Sequence, residues 1–295
     1  MDKGVEWKKK VGLVSRPGQG GGAKLKLTKE QREQFQLELR KQDFWSLAEV
    51  KSLLLEHYQV SYSSVHVRNL LKSWGMFHYK PRPQDYRRSE QANEKLFERL
   101  RATADVLEMW QCPCSEIAFG FADESSPQAN SNKARWWSFY KKPRKVNSNQ
   151  DLRCNTFGFY ALQGQSVVCE IADSKAERFV TCLEIIRNAN PTAMYCVVVW
   201  DNLPSHQVAE VQKMARKKRI ILVNLPPLSP DLNPIEKIWK QIKRNISLQG
   251  LIKSKESLAS IITESFLQSA SSLSFAQKWV QDFFLPTFKH YPIPL

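Results

Sequence analysis

The sequence predicts an α/β protein: a mixed-sheet domain with helices on its faces, preceded by a small all-helical unit. Three observations predict it. Residues 28–74 show only the three-to-four-residue apolar period of helices. From about residue 115, short apolar runs appear, first in succession and then alternating with amphipathic stretches. One of them, "MYCVVVWD" (194–201), is almost wholly apolar, as a strand buried on both faces is. At 295 residues and 42% hydrophobic content, the chain is long and apolar enough for a sizeable core.

Residues 1–27 are basic, glycine-rich ("SRPGQGGGAKLKLT" runs through their end) and without apolar period. They read as a flexible basic arm, either a plain linker or one that follows a DNA minor groove. At Thr28 a helix begins, with Thr28 as N-cap and Gln31 three residues on. A second helix fits "SLAEVKSLLLEHY", with Leu47, Val50, Leu53 and Leu54 along one face. After the break "QVSYS" a third places Val67, Leu70, Leu71 and Trp74 at helical spacing, and Gly75 stops it. Asn69 and Lys72 lie opposite that stripe, flanked by His66 and Arg68. Two short helices with a tight break and a polar, basic outer face read as a helix-turn-helix over 28–88. An ordinary helical hairpin with a solvated face is the alternative. "MFHYKPRPQDYRR" (76–88) would be a wing or a basic tether.

The segment 89–112 reads as a linker helix, amphipathic over 89–110. The sheet domain, 113–250, then opens with the strand "SEIAFGFAD" (115–123), which ends on an acid. "RWWSFY" and the hairpin "CNTFGFYALQGQSVVCEIA", turning near "QGQ", add strands. "SKAERFVTCLEIIRNA" is a helix, 194–201 a strand, 205–217 a helix and "RIILVNL" a strand. Four prolines within 226–234 precede a helix from Pro234. Residues 251–295 read as a C-terminal helical extension.

Lys and Arg outnumber Asp and Glu by 44 to 29. The surplus is shared, +8 in the first hundred residues and +7 after them, so both parts suit one polyanionic partner. The apolar runs are too short to span a bilayer, and "MDKGVEWKKK" has no signal-peptide core, so no membrane partner is expected. "CPC" (112–114) has the wrong spacing for a zinc knuckle, and the six cysteines read as free thiols of a reducing interior.

Two strands end in acids with polar neighbours, "FADESS" and "WDNLPSH". Active groups of open α/β sheets gather at such strand ends, where Asp123 and Asp201 meet if their strands are neighbours. A third acid, Glu236, follows the proline run: Asn233 suits an N-cap, Pro234 the first helical position and Glu236 the third. Each acid alone has a structural reading, a capping box for Glu236 and turns for the aspartates. Together they form a carboxylate cluster, which persists when cations neutralise it, and magnesium suits oxygen ligands beside phosphates. Lys240 and Lys243 continue the face of Glu236, with Arg244 close by; Ile235, Ile238, Trp239 and Ile242 form the opposing stripe. Such a basic face suits a phosphodiester backbone.

These pieces resemble the DDE transposases of the mariner superfamily and its prokaryotic insertion-sequence relatives. "FADES", "VVVWDNLPSH" and "LPPLSPDLNPIEKIWKQIKR" carry the resemblance over 116–247, with 34 residues between Asp201 and Glu236. Residues 24–83 look like the second helix-turn-helix of such proteins. The resemblance implies an RNase H-like core behind a winged helix-turn-helix, with Asp123, Asp201 and Glu236 as catalytic, metal-binding triad. It implies two Mg²⁺ per site (Mn²⁺ substituting), Asp123 bridging them and the other two acids completing one site each. It further implies cleavage at terminal inverted repeats, then transfer of the freed 3′-hydroxyls into target DNA at TA. Asn202 and His206 match the family's "DN…H" piece and would lie behind the ligands or contact DNA; capping the next helix is the alternative. Double-stranded DNA would be the partner of a homodimer, in the nucleoid-bearing cytoplasm of a prokaryote or the nucleus of a eukaryote. A catalytically inactive DNA-binding derivative and a nuclease that never joins strands are the competing expectations. In two respects the chain departs from the pattern: "VEWKKKVGL" would be the end of a further upstream helix-turn-helix, and "RWWSFYKKPRKV" lacks a glycine after its tryptophans.

Overall fold

The computed structural model describes residues 26–79, 85–132, 134, 144–172, 176–202, 206 and 208–289. The chain divides into two compact units, Met1–Pro83 and Gln84–Leu295.

The first unit packs three helices, α1 (Lys29–Leu39), α2 (Leu47–Tyr58) and α3 (Ser64–Ser73). Each starts at a hydroxyl cap. Thr28 with Gln31 and Ser46 with Glu49 form capping boxes, and Ser63 accepts from the His66 amide. Each such cap is worth about 1 kcal/mol. Phe35, Val50, Leu54 and Val67 are wholly buried between the helices, and the Phe35 ring meets Tyr58 and Trp74 edge-on. Gly75 takes φ +79°, a left-handed turn that ends α3 where expected. Residues 76–79 and 85–88 form no strand; the rest of the expected wing, 80–84, lies outside the described residues, as do most of the basic arm and "RWWSFY".

In the second unit five strands form one sheet: β1 (Ile117–Ser125), β2 (Thr156–Gln163), β3 (Val167–Glu170), β4 (Tyr195–Trp200) and β5 (Ile220–Asn224). Their order is β3-β2-β1-β4-β5; β1–β2 and β2–β3 are antiparallel, β1–β4 and β4–β5 parallel. Gly164, at φ +95°, makes the β2–β3 turn within "QGQ". Helices α4 (Ala92–Met109), α5 (Ala176–Ala189), α6 (Ala209–Lys217), α7 (Ile235–Leu248) and α8 (Lys255–Ala270) cover the sheet.

Strand alternation sorts the core into two layers. Phe119, Phe121, Val197 and Val199 face α4, α7, α8 and the C-terminal helical turns. Ala118, Ala122, Cys196, Val198 and Trp200 face α5 and α6. This is the mixed sheet between helical layers that the RNase H-like resemblance implies.

Several elements differ from the sequence reading. β1 runs two residues past Asp123, because Glu124 and Ser125 still pair with Phe157 and Thr156 of β2. The segment read as a linker helix buries Leu96, Leu100 and Leu107 in the core of the sheet unit. The C-terminal segment does the same through Leu258, Ile262, Phe266 and Trp279. An amphipathic pattern names the buried face of a helix but not the partner that buries it.

Candidate active site

Asp123 and Asp201 are brought side by side by strand register. Phe121 pairs with Val199 across the parallel β1–β4 ladder, and each acid follows two residues later. Asp123 lies within β1 on the face that carries Phe119 and Phe121, towards α7. There the Trp239 indole of α7 donates to Asp123 Oδ2 at 3.0 Å. Burial is the main reason the Asp123 carboxyl stands far above the usual carboxylate range; Glu236, Glu124 and Asp201 add to it, in that order.

Glu236 comes from the proline run, which is held at both ends and from outside. The Leu225 amide donates to Trp200 O at 2.7 Å, fixing the exit from β5. Arg88 forks onto Asp231, its Nε and Nη2 at 3.1 and 2.9 Å from the two carboxylate oxygens. Asn233, almost fully buried, donates through Nδ2 to Ala122 O of β1 at 3.2 Å. Asn233 therefore does not cap α7. It closes the short 3₁₀ turn Pro230–Leu232, while Pro234 occupies the cap, so Glu236 is the second residue of the helix. The bond to the strand wins over the cap because it anchors the loop beside Asp123. Glu236 sits at the exposed start of α7, and loss of water round its carboxyl still raises its pKa; Lys243 opposes that rise and Asp201 adds to it.

His206 is buried. Its ring stacks on Trp200 at 4.0 Å and meets Phe179 edge-on at 4.3 Å. Nδ1 lies 2.8 Å from Asp201 Oδ1, and Nε2 lies 3.5 Å from Glu124 Oε1. Burial disfavours the imidazolium, but the two carboxylates outweigh it and lift the pKa to about 9. His206 thus backs Asp201 rather than capping a helix. Asn202 is exposed at the same strand end. Lys240 and Arg244 are exposed on α7, and Lys243 is close enough to Glu236 to lower its pKa. His66, Arg68, Asn69 and Lys72 are all exposed on α3 of the first unit, opposite buried Val67 and Leu70.

Three contributors escape the sequence reading. In the sequence Glu124 is one more acid of "FADES", Trp239 one residue of an apolar stripe and Asn233 a cap. For Glu124 a signal existed: alternation sends it to the face opposite Asp123, the face on which Trp200 and His206 lie.

The donors fit a hard divalent cation. All three acids offer carboxylate oxygens, and their pKa values or mutual effects record a like-charge cluster that a cation relieves. Among the described residues no group of three His, Cys, Asp or Glu side chains is already arranged around one ion. No described helix is long and apolar enough to cross a membrane. Cys154, Cys169, Cys182 and Cys196 are free thiols.

Residues 119–259 match the DDE superfamily endonuclease family, and residues 41–95 match the winged helix-turn helix family. A stretch of 46 residues, 16% of this chain, is 41% identical to the transposable element Tcb1 transposase of Caenorhabditis briggsae. A stretch of the same length is 37% identical to the Tc1 transposase of Caenorhabditis elegans. Each match covers 17% of the relative's own length. Among solved structures, the Mos1 transposase paired-end complex with left transposon end superposes at a TM-score of 0.60 and 15% identity, over 97% of this chain and 84% of that one. The mariner Mos1 paired end complex with Mg gives 0.62 and 16%, over 98% and 87%. At such identities the likeness is one of fold. Residues 119–259 are thus similar to DDE superfamily endonucleases and residues 41–95 to winged helix-turn helix domains, and the chain shares the fold of the Mos1 transposase structures.

Proposed function

We propose that the chain is a DNA transposase that cleaves at the terminal inverted repeats of an element and joins the freed 3′ ends to target DNA, at TA sites. One observation carries the reading: Asp201 from a strand end and Glu236 from a helix start converge on Asp123 of the strand interior, each raising its proton affinity, which burial raises most. The solved neighbours include complexes with transposon DNA, with Mg and with Mn, which supports the same requirements here.

Asp123, Asp201 and Glu236 would hold two Mg²⁺ ions, or Mn²⁺ in their place. When bound, the cations supply positive charge to the attacking and leaving oxygens of an in-line displacement. The chain's own residues set the geometry. Trp239 holds one oxygen of Asp123, His206 holds Asp201, and the Asn233 bond to β1 fixes the entry to α7 and so Glu236. Lys240, Lys243 and Arg244 lie along the same helix to meet phosphates, with Asn202 near the site. His66, Arg68, Asn69 and Lys72 on α3 would read the duplex. Pairing two ends calls for a homodimer on DNA, in whichever compartment, nucleus or nucleoid, holds the element.

The test uses oligonucleotides of the element's ends, a target plasmid and Mg²⁺, with Asp201→Asn and Glu236→Gln beside the wild type. Cleaved and joined products that vanish in both variants establish the reading. Cleavage without joining favours a nuclease. DNA binding without cleavage, in wild type and variants alike, overturns catalysis and leaves a DNA-binding derivative.

A further inference from the structure

A second surface lies at the opposite end of the sheet from the acids. β4 is six residues long, so its first residue, Tyr195, is about 20 Å from Asp201 at 3.3 Å per residue. A cleft of about 470 Å³ opens there, walled by Trp110, Tyr195, Gln212, Arg216, Arg219 and the start of β5. The Trp110 and Tyr195 rings stack at 4.7 Å and 24°, and Trp110 is 44% exposed. The basic run "KMARKKR" (213–219) borders the cleft. Lys218 pairs with Glu184 at 3.1 Å, whereas Lys213, Arg216, Lys217 and Arg219 form no ion pair among the described residues.

The blandest account is the helix dipole. The C-terminal end of α6 carries about half a negative charge, which favours a cation in its last turn. That covers Arg216 or Lys217 but not Arg219, which lies beyond the helix. Arg219 has φ +55°, the left-handed position after a helix where glycine is the usual residue. Gln111, the neighbour of Trp110, is also left-handed at φ +51°. At Arg219 the backbone would be better served by glycine, and this residue lines the cleft.

We propose that this cleft is a second DNA-binding surface, separate from the carboxylate site. Arg216 and Arg219 would clamp backbone phosphates, and the exposed Trp110 face would take a sugar or base edge. Excess positive charge decides for a polyanion. The inference rests on the reading of the chain as a DNA-processing protein.

The experiment uses the full chain in EDTA, where no strand is cut, and measures affinity against salt for an end duplex and for an unrelated duplex. The variants are Arg216→Glu and Arg219→Gly; the second eases the backbone, so it should not unfold the protein. If the surface holds two phosphates, the double variant weakens binding about tenfold or more and lowers the log–log salt slope by about two. A loss confined to one duplex supports the surface and identifies which DNA it holds. Unchanged affinity and slope with both duplexes overturns it. Mg²⁺-dependent cleavage of the end duplex by the same variants keeps the two readings apart. Intact cleavage with unchanged binding sinks only the second surface, and a wild type that never cleaves sinks the catalytic reading.

Discussion

At the scale of single residues, the site depends on side chains that hold the acids as much as on the acids. The indole of Trp239 donates to Asp123 Oδ2, a bond to a carboxylate worth about 1.5–3 kcal/mol. Trp239→Phe keeps most of the buried ring and removes only that donor. Its cleavage rate should fall roughly tenfold to a hundredfold, since 1.4 kcal/mol is a factor of ten, while the thermal midpoint falls by several degrees and the fold is retained. An unchanged rate would show that Asp123 needs no such support. His206 is bound more deeply, between Asp201, Glu124, Trp200 and Phe179. His206→Ala removes the buried ring that packs on Trp200 and Phe179 and bonds both carboxylates. It should lower both stability and activity, and denaturant unfolding beside cleavage assays would show whether they fall together. The acids and His206 were readable because strand-end acids and the proline run are local patterns. Trp239 was not, because a tryptophan in an apolar stripe looks alike whether its N–H meets a ligand or nothing.

At the scale of elements, α7 is positioned by what lies under it. Gly158 of β2 pairs with Asp123 across the sheet. A Cβ there would come within 2.6 Å of Phe266 Cε2 and 3.0 Å of Trp239 Cη2. Gly158→Ala must therefore push α7 and α8 outward or force strained rotamers, at about 1–3 kcal/mol. Because Trp239 moves with them, cleavage should drop more than the stability loss alone accounts for; equal losses would place the effect in folding only. Tyr160, on the same strand, donates to Ser272 O at 2.7 Å and so ties β2 to the C-terminal turns. Burial pushes its pKa up to about 12. Since the folded value lies above the unfolded one of about 10, the stabilisation is complete below pH 10 and fades as pH rises towards 12. Tyr160→Phe should lose about 1 kcal/mol at neutral pH and show a shallower alkaline decline than wild type in urea titrations. The periodicity of these helices was plain in the sequence. Their attachment was not: the helix at 92–109 and the C-terminal turns carry stripes that would serve a linker, an extension or a core equally well.

At the scale of the whole molecule, two units with separate cores divide the work. Leu27, Phe35, Leu54 and Val67 close the core of the first, and the two layers of the sheet close that of the second. Among the described residues each unit builds its own core, so each should fold when expressed alone, as Met1–Pro83 and as Gln84–Leu295. Circular dichroism melts would show a cooperative transition in each fragment. The sheet fragment should be raised in melting temperature by Mg²⁺, because cations relieve the repulsion round Asp123, and Asp123→Asn should abolish that rise. The helical fragment should ignore Mg²⁺ and keep sequence-dependent binding to the end duplex. Within it, Arg68→Ala and Asn69→Ala would separate two kinds of contact. Loss of a base contact relaxes preference at one position by about 1–3 kcal/mol, whereas loss of a phosphate contact weakens every sequence alike and reduces the salt slope by about one. Should end recognition instead travel with the sheet fragment, α3 would be a scaffold helix, and the exposed groups along it would be solvated rather than functional.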